Sequence, residues 1–310
     1  MINRRNFVAI CGGLAAGVFA VGPSGRNLVS GGDDRLNFMR PPLLAEKPVV
    51  VETQATRKYH QPISDLHPDY IIADNVEPST QHIASESAQD VVLQDVDKIT
   101  FQTVVTRLTR LQNYIGYGNF NVVGWDQSLK IARNQNQIGS FTKAELDFIE
   151  ALFSTNASSL GFYGDKVVTQ LSSTIEKKDI VKIPGTGHYL FKGIAADTYQ
   201  KIRKDVGDSI TLTSGIRSVV KQIHLFLAKT ARVEGNLSLA SYSLAPPGHS
   251  YHALGDFDVG KKGFGLKNFT AEFADTEEFK RLSDLGYLDI RYPQNNPYGV
   301  RYEPWHIKVV

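Results

Sequence analysis

The distribution of proline is the feature that most constrains the fold of this 310-residue chain. Seven of the thirteen prolines fall between Pro23 and Pro78, in a stretch that is also rich in Ser, Asp and Glu. No apolar period of 3.6 or 2 residues is sustained there, so too little apolar surface recurs on one face to offset the entropy of ordering. We therefore interpret residues 23–95 as a mostly disordered linker and expect the packed fold in the residues that follow.

The first 22 residues have the layout of an export signal. Arg4 and Arg5 precede a modestly apolar stretch over Phe7–Val21, and the arginine pair resembles the twin-arginine export motif. Asn3 stands where that motif usually has Ser or Thr. We predict residues 1–22 as an export signal, and hence an exported protein of the periplasm or cell envelope. A short membrane anchor and a buried N-terminal helix are the alternatives.

Charge and cysteine content exclude several classes of function. The 34 basic and 32 acidic side chains give a net charge of +2, so the chain has no broad positive field and nucleic acid is not expected as a partner. After the N-terminus no apolar run approaches the roughly 20 residues that span a bilayer, so no stable membrane span is expected once the signal is removed. The single cysteine, Cys11, excludes an intramolecular disulfide and a zinc site built from paired thiolates. Any metal must therefore be held by His, Asp and Glu.

Periodicity and capping residues predict the elements. Apolar residues recur at helical spacing from Ile99 to Ile115, and Thr142 with Glu145 forms a capping-box pattern before a second helix. Further helices are predicted at residues 191–206, 218–233 and 276–285, and strands at 209–213, 257–259, 287–292 and 306–310. Helices precede and interrupt the strands without a regular βαβ alternation, so the predicted class is α+β.

Lone aromatic side chains are more often core residues than ligand contacts. We therefore interpret Trp125, Tyr163 and Tyr189 as core residues.

Polar side chains concentrate in three clusters near the C-terminus, and the first is S-G-I-R-S-V-V-K-Q over residues 214–222. It lies at a predicted strand-to-helix junction, with Arg217 in the first helical turn. The guanidinium could therefore project from the sheet edge and bind a carboxylate or carbonyl group. An exposed arginine beside an ordinary Ser214 cap is the alternative.

The second cluster, P-P-G-H-S-Y-H-A-L-G-D-F-D-V-G over residues 246–260, contains two histidines and two aspartates. Asp256 and Asp258 are two apart, so on a strand both face the same side. Such a set is typical of metal ligands, although a hydrogen-bonded surface turn has the same composition.

The third cluster is Y-E-P-W-H-I-K-V-V over residues 302–310. Pro304 favours an extended Glu303, and His306 begins a terminal strand on the face opposite to Ile307. A partly buried histidine in a terminal strand is the alternative. Jointly, the clusters supply what a catalytic zinc site needs: two histidines and a carboxylate as ligands, a position for water, and a second carboxylate to take a proton.

In this order, S-G-I-R-S…Q, S-Y-H-x-x-G…D and E-P-W-H resemble the VanY-type D-alanyl-D-alanine carboxypeptidases, zinc peptidases of the group that includes lysostaphin and the hedgehog signalling domain. The resemblance covers roughly residues 194–310. It implies an α+β peptidase domain at 181–310, with a small antiparallel sheet and flanking helices, preceded by a helical extension at 96–180. It also implies Zn²⁺ as cofactor.

The resemblance further implies hydrolysis of an amide bond in a peptidoglycan stem peptide, with D-alanyl-D-alanine carboxypeptidase activity expected first. A D,D-dipeptidase, an endopeptidase, and a non-catalytic module that binds cell-wall peptide or a partner are the alternatives. The residue roles carried over are metal binding by His252 and His306, general base catalysis by Glu303, substrate positioning by Arg217, and support of substrate binding by Ser250 and Gln222.

Two departures from the family pattern affect the expected site. The usual ligand aspartate falls seven residues after the first histidine, where this chain has Val259. A one-residue deletion in the loop would make Asp258 the ligand, which we prefer, with Asp256 as the alternative. Ile216 stands where the family commonly has Tyr, a difference that bears on the substrate pocket.

Overall fold

Helices dominate the first half of the described chain. A computed structural model describes residues 90–310, so the predicted export signal and most of the predicted linker lie outside the described residues. In chain order the helices are α1 (Asp95–Ile115), α2 (Tyr117–Phe120), α3 (Trp125–Asn134), α4 (Lys143–Ser154), α5 (Ile194–Val206), α6 (Val219–Arg232), α7 (Leu237–Ser243) and α8 (Glu277–Asp284). Among these described helices none is both long and apolar enough to cross a bilayer.

Two small antiparallel sheets follow the first four helices, which confirms the predicted α+β class. The strands are β1 (Ile180–Lys182), β2 (Tyr189–Phe191), β3 (Ile210–Ser214), β4 (Phe257–Lys261) and β5 (His306–Ile307). Strands β1 and β2 form a hairpin, and the second sheet has the order β3-β4-β5. Short 3₁₀ helices connect these elements at Ala157–Leu160, Lys177–Asp179, Tyr251–Ala253, Gly265–Phe269 and Ala271–Asp275.

Local sequence signals explain why the helices begin where they do. The capping box predicted at Thr142 and Glu145 is present, with the Thr142 hydroxyl accepting from the Glu145 backbone and the Glu145 carboxylate accepting from the Thr142 backbone. Helix α6 begins after Ser218, whose side chain accepts from the backbone of Lys221. These bonds satisfy amide groups that have no partner within the helix itself.

Two apolar clusters form the core. The first joins α1, α3 and α4 to α6 and α7, and the second lies between α5 and the β3-β4-β5 sheet. Every residue of α6 from Val219 to Thr230 is buried, since the helix is covered on all sides. The predicted boundary at residue 180 stays a prediction, and the first cluster contains helices from both sides of it.

A close backbone approach requires glycine at the end of β3. A Cβ atom at Gly215 would lie 2.2 Å from the carbonyl oxygen of Tyr189, and the next residue, Ile216, donates its backbone N–H to that same oxygen at 2.9 Å. The chain can therefore pass this close to the backbone of β2 only with no side chain at this position. This contact sets the path of the segment that carries Arg217.

Two sequence-based expectations are wrong in detail. Residues 287–292 form no strand, and only Ile290 makes an isolated bridge to Ile307, because too few backbone groups there align with β5. Tyr163 is 64% exposed rather than a core residue, whereas Trp125 is buried as expected. The hairpin β1-β2 and helices α2, α3 and α7 were not predicted.

Candidate metal and substrate site

The register of the second sheet brings together residues from all three clusters. Asp258 in β4 pairs with Ser214 of β3 on one side and with His306 of β5 on the other. His252 comes from the 3₁₀ turn Tyr251–Ala253, and its carbonyl oxygen accepts from the backbone of Arg217 at 3.4 Å. Clusters that are far apart in sequence therefore converge around Asp258 in the central strand of the sheet.

His252, Asp258 and His306 form a buried group whose ligand atoms all lie within 4.8 Å of one another. Oδ1 of Asp258 is 3.4 Å from Nε2 of His252 and 3.5 Å from Nδ1 of His306. Ligand atoms that each lie about 2.0–2.1 Å from one tetrahedral ion are about 3.4 Å apart. Both distances from Asp258 therefore fit a zinc-sized cation.

Hydrogen bonding gives an independent test of this fit. Nδ1 of His252 lies 2.8 Å from the carbonyl oxygen of Gly215, which can only accept, so in the neutral ring Nδ1 carries the proton and Nε2 keeps its lone pair. Nε2 of His252 and Oδ1 of Asp258 are buried without a hydrogen-bond partner among the described residues. Such atoms are costly to bury, and a bound cation would satisfy both. Two imidazoles and one carboxylate are a donor set that suits Zn²⁺.

Arg217 holds the second oxygen of the same carboxylate. Its Nη2 donates to Oδ2 of Asp258 at 2.8 Å and its Nε donates to Ser214 at 3.1 Å. Arg217 precedes the Ser218 cap and is not in the first turn of α6, which corrects the sequence-based placement; the reason is that the Ser218 side chain begins the helix. Asp258 thus keeps only Oδ1 for a metal.

Asp256 lies on the opposite side of His306 and binds an arginine. Its Oδ2 accepts from Nε of Arg291 at 2.8 Å and lies 3.1 Å from Nε2 of His306, while its Oδ1 accepts from the backbone of Val309 at 2.9 Å. A carboxylate only accepts, so Nε2 of His306 is the protonated nitrogen and Nδ1 faces Asp258. Asp256 therefore orients His306 from the side away from the other two potential ligands.

The electrostatics of the group follow from burial and from these neighbours. Burial, and then Arg217, lower the pKa of His252. Burial opposes ionisation of Asp258, but the neighbouring His252, Arg217 and His306 hold its pKa at about 2. Burial also opposes protonation of His306, yet hydrogen bonds to Asp256 and Glu303 raise its pKa to about 9. The site thus favours an ionised carboxylate and a cation beside it.

The group opens onto a cleft. The cleft is lined by Arg217, Ser243, Leu244, Ala245, Ser250, His252, Asp258, Tyr292, Val300, Arg301, Glu303, Trp305 and His306. Oε2 of Glu303 lies 3.4 Å from Nδ1 of His306, so a second carboxylate stands beside the potential ligands. Its backbone N–H donates to the carbonyl oxygen of Tyr292 at 3.0 Å.

The structure places the remaining predicted residues at different distances from the cleft. Ser250 lines it, whereas Gln222 does not and instead donates through Nε2 to the carbonyl oxygen of Ala245, which does. Ile216 is 1% exposed and packs inside, so the change from Tyr at this position does not itself line the cleft.

Sequence reasoning missed Arg291 and Arg301. Arg291 is 35 residues from its partner Asp256, a distance over which no local signal exists. Arg301 is two residues before Glu303, and in a segment predicted to be extended this spacing could have indicated that both face the same side.

Residues 190–310 match the family model of a class of peptidases that act on D-alanyl-D-alanine. The family is VanY, described as D-alanyl-D-alanine carboxypeptidase, and this part of the chain is similar to its members. The resemblance inferred from the sequence motifs is thereby confirmed for these residues. No curated protein matches the chain.

Two solved structures are similar to the chain. One is the vancomycin-resistance D,D-dipeptidase VanXYg in complex with a D-Ala-D-Ala phosphinate analogue, with 24% identity and a TM-score of 0.36 over 47% of this chain and 57% of that one. The chain thus spans just over half the length of that protein. The other is a variant of the vancomycin-resistance D,D-pentapeptidase VanY from a VanB-type cassette in complex with Zn(II), with 22% identity and a TM-score of 0.36 over 49% of this chain and 87% of that one.

Proposed function

We propose that this chain is a zinc-dependent peptidase that hydrolyses an amide bond at the D-Ala-D-Ala end of a peptidoglycan stem peptide. The observation that carries the proposal is the buried His252, Asp258 and His306 group with Glu303 beside it in one cleft. The match of residues 190–310 to a D-Ala-D-Ala carboxypeptidase family supports the substrate class. Carboxypeptidase activity is the first expectation, with D,D-dipeptidase and endopeptidase activity as alternatives.

His252, Asp258 and His306 would hold the zinc, which supplies Lewis acidity and lowers the pKa of a nearby water. Glu303 is the base of the reaction: its carboxylate takes the proton of the attacking water and returns it to the leaving amine. Because Glu303 is 8% exposed and reaches within 3.4 Å of His306, it acts close to the ligands and away from bulk water.

Arg217 positions the peptide beside these groups. Its guanidinium is fixed by Asp258 and Ser214, so little side-chain entropy is lost when a substrate carbonyl binds to it. Ser250, which lines the cleft, contributes a hydroxyl to substrate binding. Gln222 stabilises the wall of the cleft, because its side-chain amide donates a hydrogen bond to the carbonyl oxygen of Ala245.

Mass spectrometry of defined stem peptides, together with metal analysis, tests the proposal. We expect one equivalent of zinc in the purified protein and loss of a single D-Ala from a pentapeptide stem. Release of D-Ala from a free D-Ala-D-Ala dipeptide identifies the dipeptidase alternative. Cleavage of a cross-bridge identifies the endopeptidase alternative. Binding of the stem peptide with no product on prolonged incubation identifies a non-catalytic module.

The base is tested by Glu303→Gln, which keeps the shape of the side chain and removes the proton acceptor. We expect the rate to fall by about 10²- to 10⁴-fold while the zinc content stays the same. Glu272→Gln is the matched control, since Glu272 is half-exposed and pairs with Lys267. Full activity in Glu303→Gln would remove Glu303 from the mechanism.

We also propose that the chain acts outside the cytoplasmic membrane, where peptidoglycan lies. The export signal predicted over residues 1–22 supports this location. Cell fractionation of a variant in which Arg4 and Arg5 are both replaced by Lys tests the twin-arginine route, and unchanged export would exclude it.

A further inference from the structure

A second arginine of the cleft, Arg301, is fixed in place by neutral groups. Its side chain is 10% exposed, and its Nη1 donates to the carbonyl oxygen of Phe269 at 3.0 Å. Its guanidinium carbon lies 4.8 Å from the centre of the Trp305 ring. Its backbone N–H donates to the carbonyl oxygen of Tyr242 at 3.0 Å, which sets residues 243–245 beside it in the wall of the cleft.

The positive charge of Arg301 is not matched by a hydrogen-bonded carboxylate among the described residues. The nearest carboxylate atom is Oε1 of Glu303 at 3.8 Å, beyond hydrogen-bonding distance, and Nε of Arg301 is buried with no hydrogen-bond partner there. Arg217 and Arg291 differ, because each donates to an aspartate at 2.8 Å. A buried guanidinium is costly unless an anion completes its pairing.

Apart from Glu303 and Asp258, the side chains that line the cleft around Arg301 would not repel such an anion. Ser243, Leu244, Ala245 and Val300 line the cleft with small or apolar side chains, and none of them is acidic. A carboxylate that enters from solvent would therefore find its donor in Arg301. The free C-terminal carboxylate of a peptide is three bonds from the scissile carbonyl carbon, so a peptide bound this way keeps its scissile bond near Glu303.

We propose that Arg301 binds the free C-terminal carboxylate of the substrate and so selects the last peptide bond of a chain for cleavage. This inference rests on the proposed function and deepens it. Arg301 then binds the C-terminal carboxylate, and Arg217 positions the scissile carbonyl. The chain is accordingly a carboxypeptidase or D,D-dipeptidase and not an endopeptidase, because an internal bond offers no carboxylate at that distance.

A different role for Arg301 would be to hold Glu303 in place through their 3.8 Å contact. The two roles predict different effects on substrates with and without a C-terminal charge. A residue that only positions Glu303 affects substrates with and without a terminal charge equally, whereas a carboxylate receptor affects only those with one. The comparison of a peptide acid with its C-terminal amide therefore separates them.

The experiment measures binding of D-Ala-D-Ala and of its C-terminal amide to the zinc-loaded full chain by calorimetry, in a Glu303→Gln background that slows turnover. We expect the acid to bind about ten- to hundredfold more tightly than the amide, as for a charge-assisted hydrogen bond. Adding Arg301→Gln should remove this preference, and Arg301→Lys should keep part of it. Arg281→Gln, at an exposed arginine of α8, is the matched control and should leave the preference unchanged.

Equal binding of acid and amide by the chain with Arg301 intact, or no binding of either, overturns the assignment even if Arg301→Gln fails to fold. Turnover is scored separately with Glu303 intact. Acid preference without any product contradicts the proposed hydrolysis but not the role of Arg301. Hydrolysis with equal binding of acid and amide contradicts the role of Arg301 alone.

Discussion

Two regions of the molecule each bury a histidine, and they shift its pKa in opposite directions. His224 lies on α6 within the helical cluster, edge-on to Phe120 and 3.0 Å from the hydroxyl of Thr109. Burial, and then the charges of Lys221 and Arg232, lower its pKa to about 3. His306 lies in the sheet, where hydrogen bonds to Asp256 and Glu303 outweigh burial and raise its pKa to about 9.

The difference shows that burial alone does not decide the charge of a side chain. In the helical region the surroundings are apolar and cationic, so the neutral ring is favoured. In the sheet region Asp256, Asp258 and Glu303 surround one imidazole, and their negative charge favours a cation beside them. The helical region is therefore a support that excludes charge, whereas the sheet region is arranged for a charged occupant.

The largest expected effect comes from removing the carboxylate at the centre of the sheet region. Asp258→Ala should abolish stoichiometric zinc binding, because Oδ1 of Asp258 faces both His252 and His306. Asp256→Ala should keep the metal with an affinity about 10- to 100-fold lower, since Asp256 only orients His306 from outside the ligand group. Zinc titration of both variants checks this.

Asp258→Ala also leaves Arg217 buried without its carboxylate, which can destabilise the fold by about 3–5 kcal/mol. Asp258→Asn preserves the volume and provides a second variant, with circular dichroism as the check on folding. If Asp256→Ala loses the metal and Asp258→Ala keeps it, the two aspartates exchange roles and the preferred reading of the loop is wrong.

The extent to which the sequence predicted this structure depends on the range of the interactions. Helix α4 and its capping box follow from contacts between residues three or four apart, so the pattern predicts them well. The convergence of Arg217, Asp258 and His306 was anticipated only through the order of three motifs. Their distances depend on the strand register of β3, β4 and β5, which no local pattern encodes.

The contribution of Asp256 shows what sequence reasoning could not separate. Asp256 and Asp258 are equivalent by spacing, since both could face the same side of a strand. They differ because Arg291 binds one and Arg217 binds the other, and each arginine is more than thirty residues away in sequence. The strand predicted at residues 287–292 is absent for a similar reason. This segment supplies the Arg291 side chain and a single bridge at Ile290 instead of a full ladder.

A truncation in the helical region tests whether it is only a support. Leu108 on α1 is fully buried in the first apolar cluster, so Leu108→Ala should lower the free energy of unfolding by about 2–5 kcal/mol. The zinc affinity of the folded protein should stay within about threefold, because Leu108 belongs to the first apolar cluster and lines neither the cleft nor the ligand group. Denaturant unfolding and zinc titration check the two quantities.

Leu285→Ala is the matched control for this truncation, since Leu285 is 47% exposed and its removal should change stability by less than about 0.5 kcal/mol. A tenfold or larger loss of zinc affinity in folded Leu108→Ala would show instead that the helical region and the site are energetically coupled.

The smallest expected effect is a pH dependence that belongs to the helical region alone. With a folded pKa of about 3 against an ordinary value of 6.5, the ring of His224 takes up a proton more readily in the unfolded chain. Stability therefore falls as pH decreases from about 6.5 and levels off near 3, and at pH 5 the loss from this group is about 2 kcal/mol.

His224→Gln removes the titration and keeps a polar group near Thr109. The unfolding free energies of the unmodified chain and of His224→Gln are measured by denaturant titration at pH 7 and pH 5. Between these pH values the unmodified chain should lose about 2 kcal/mol more stability than the variant. Parallel pH profiles would show that the helical region tolerates a charged His224, and the contrast with His306 would then be lost.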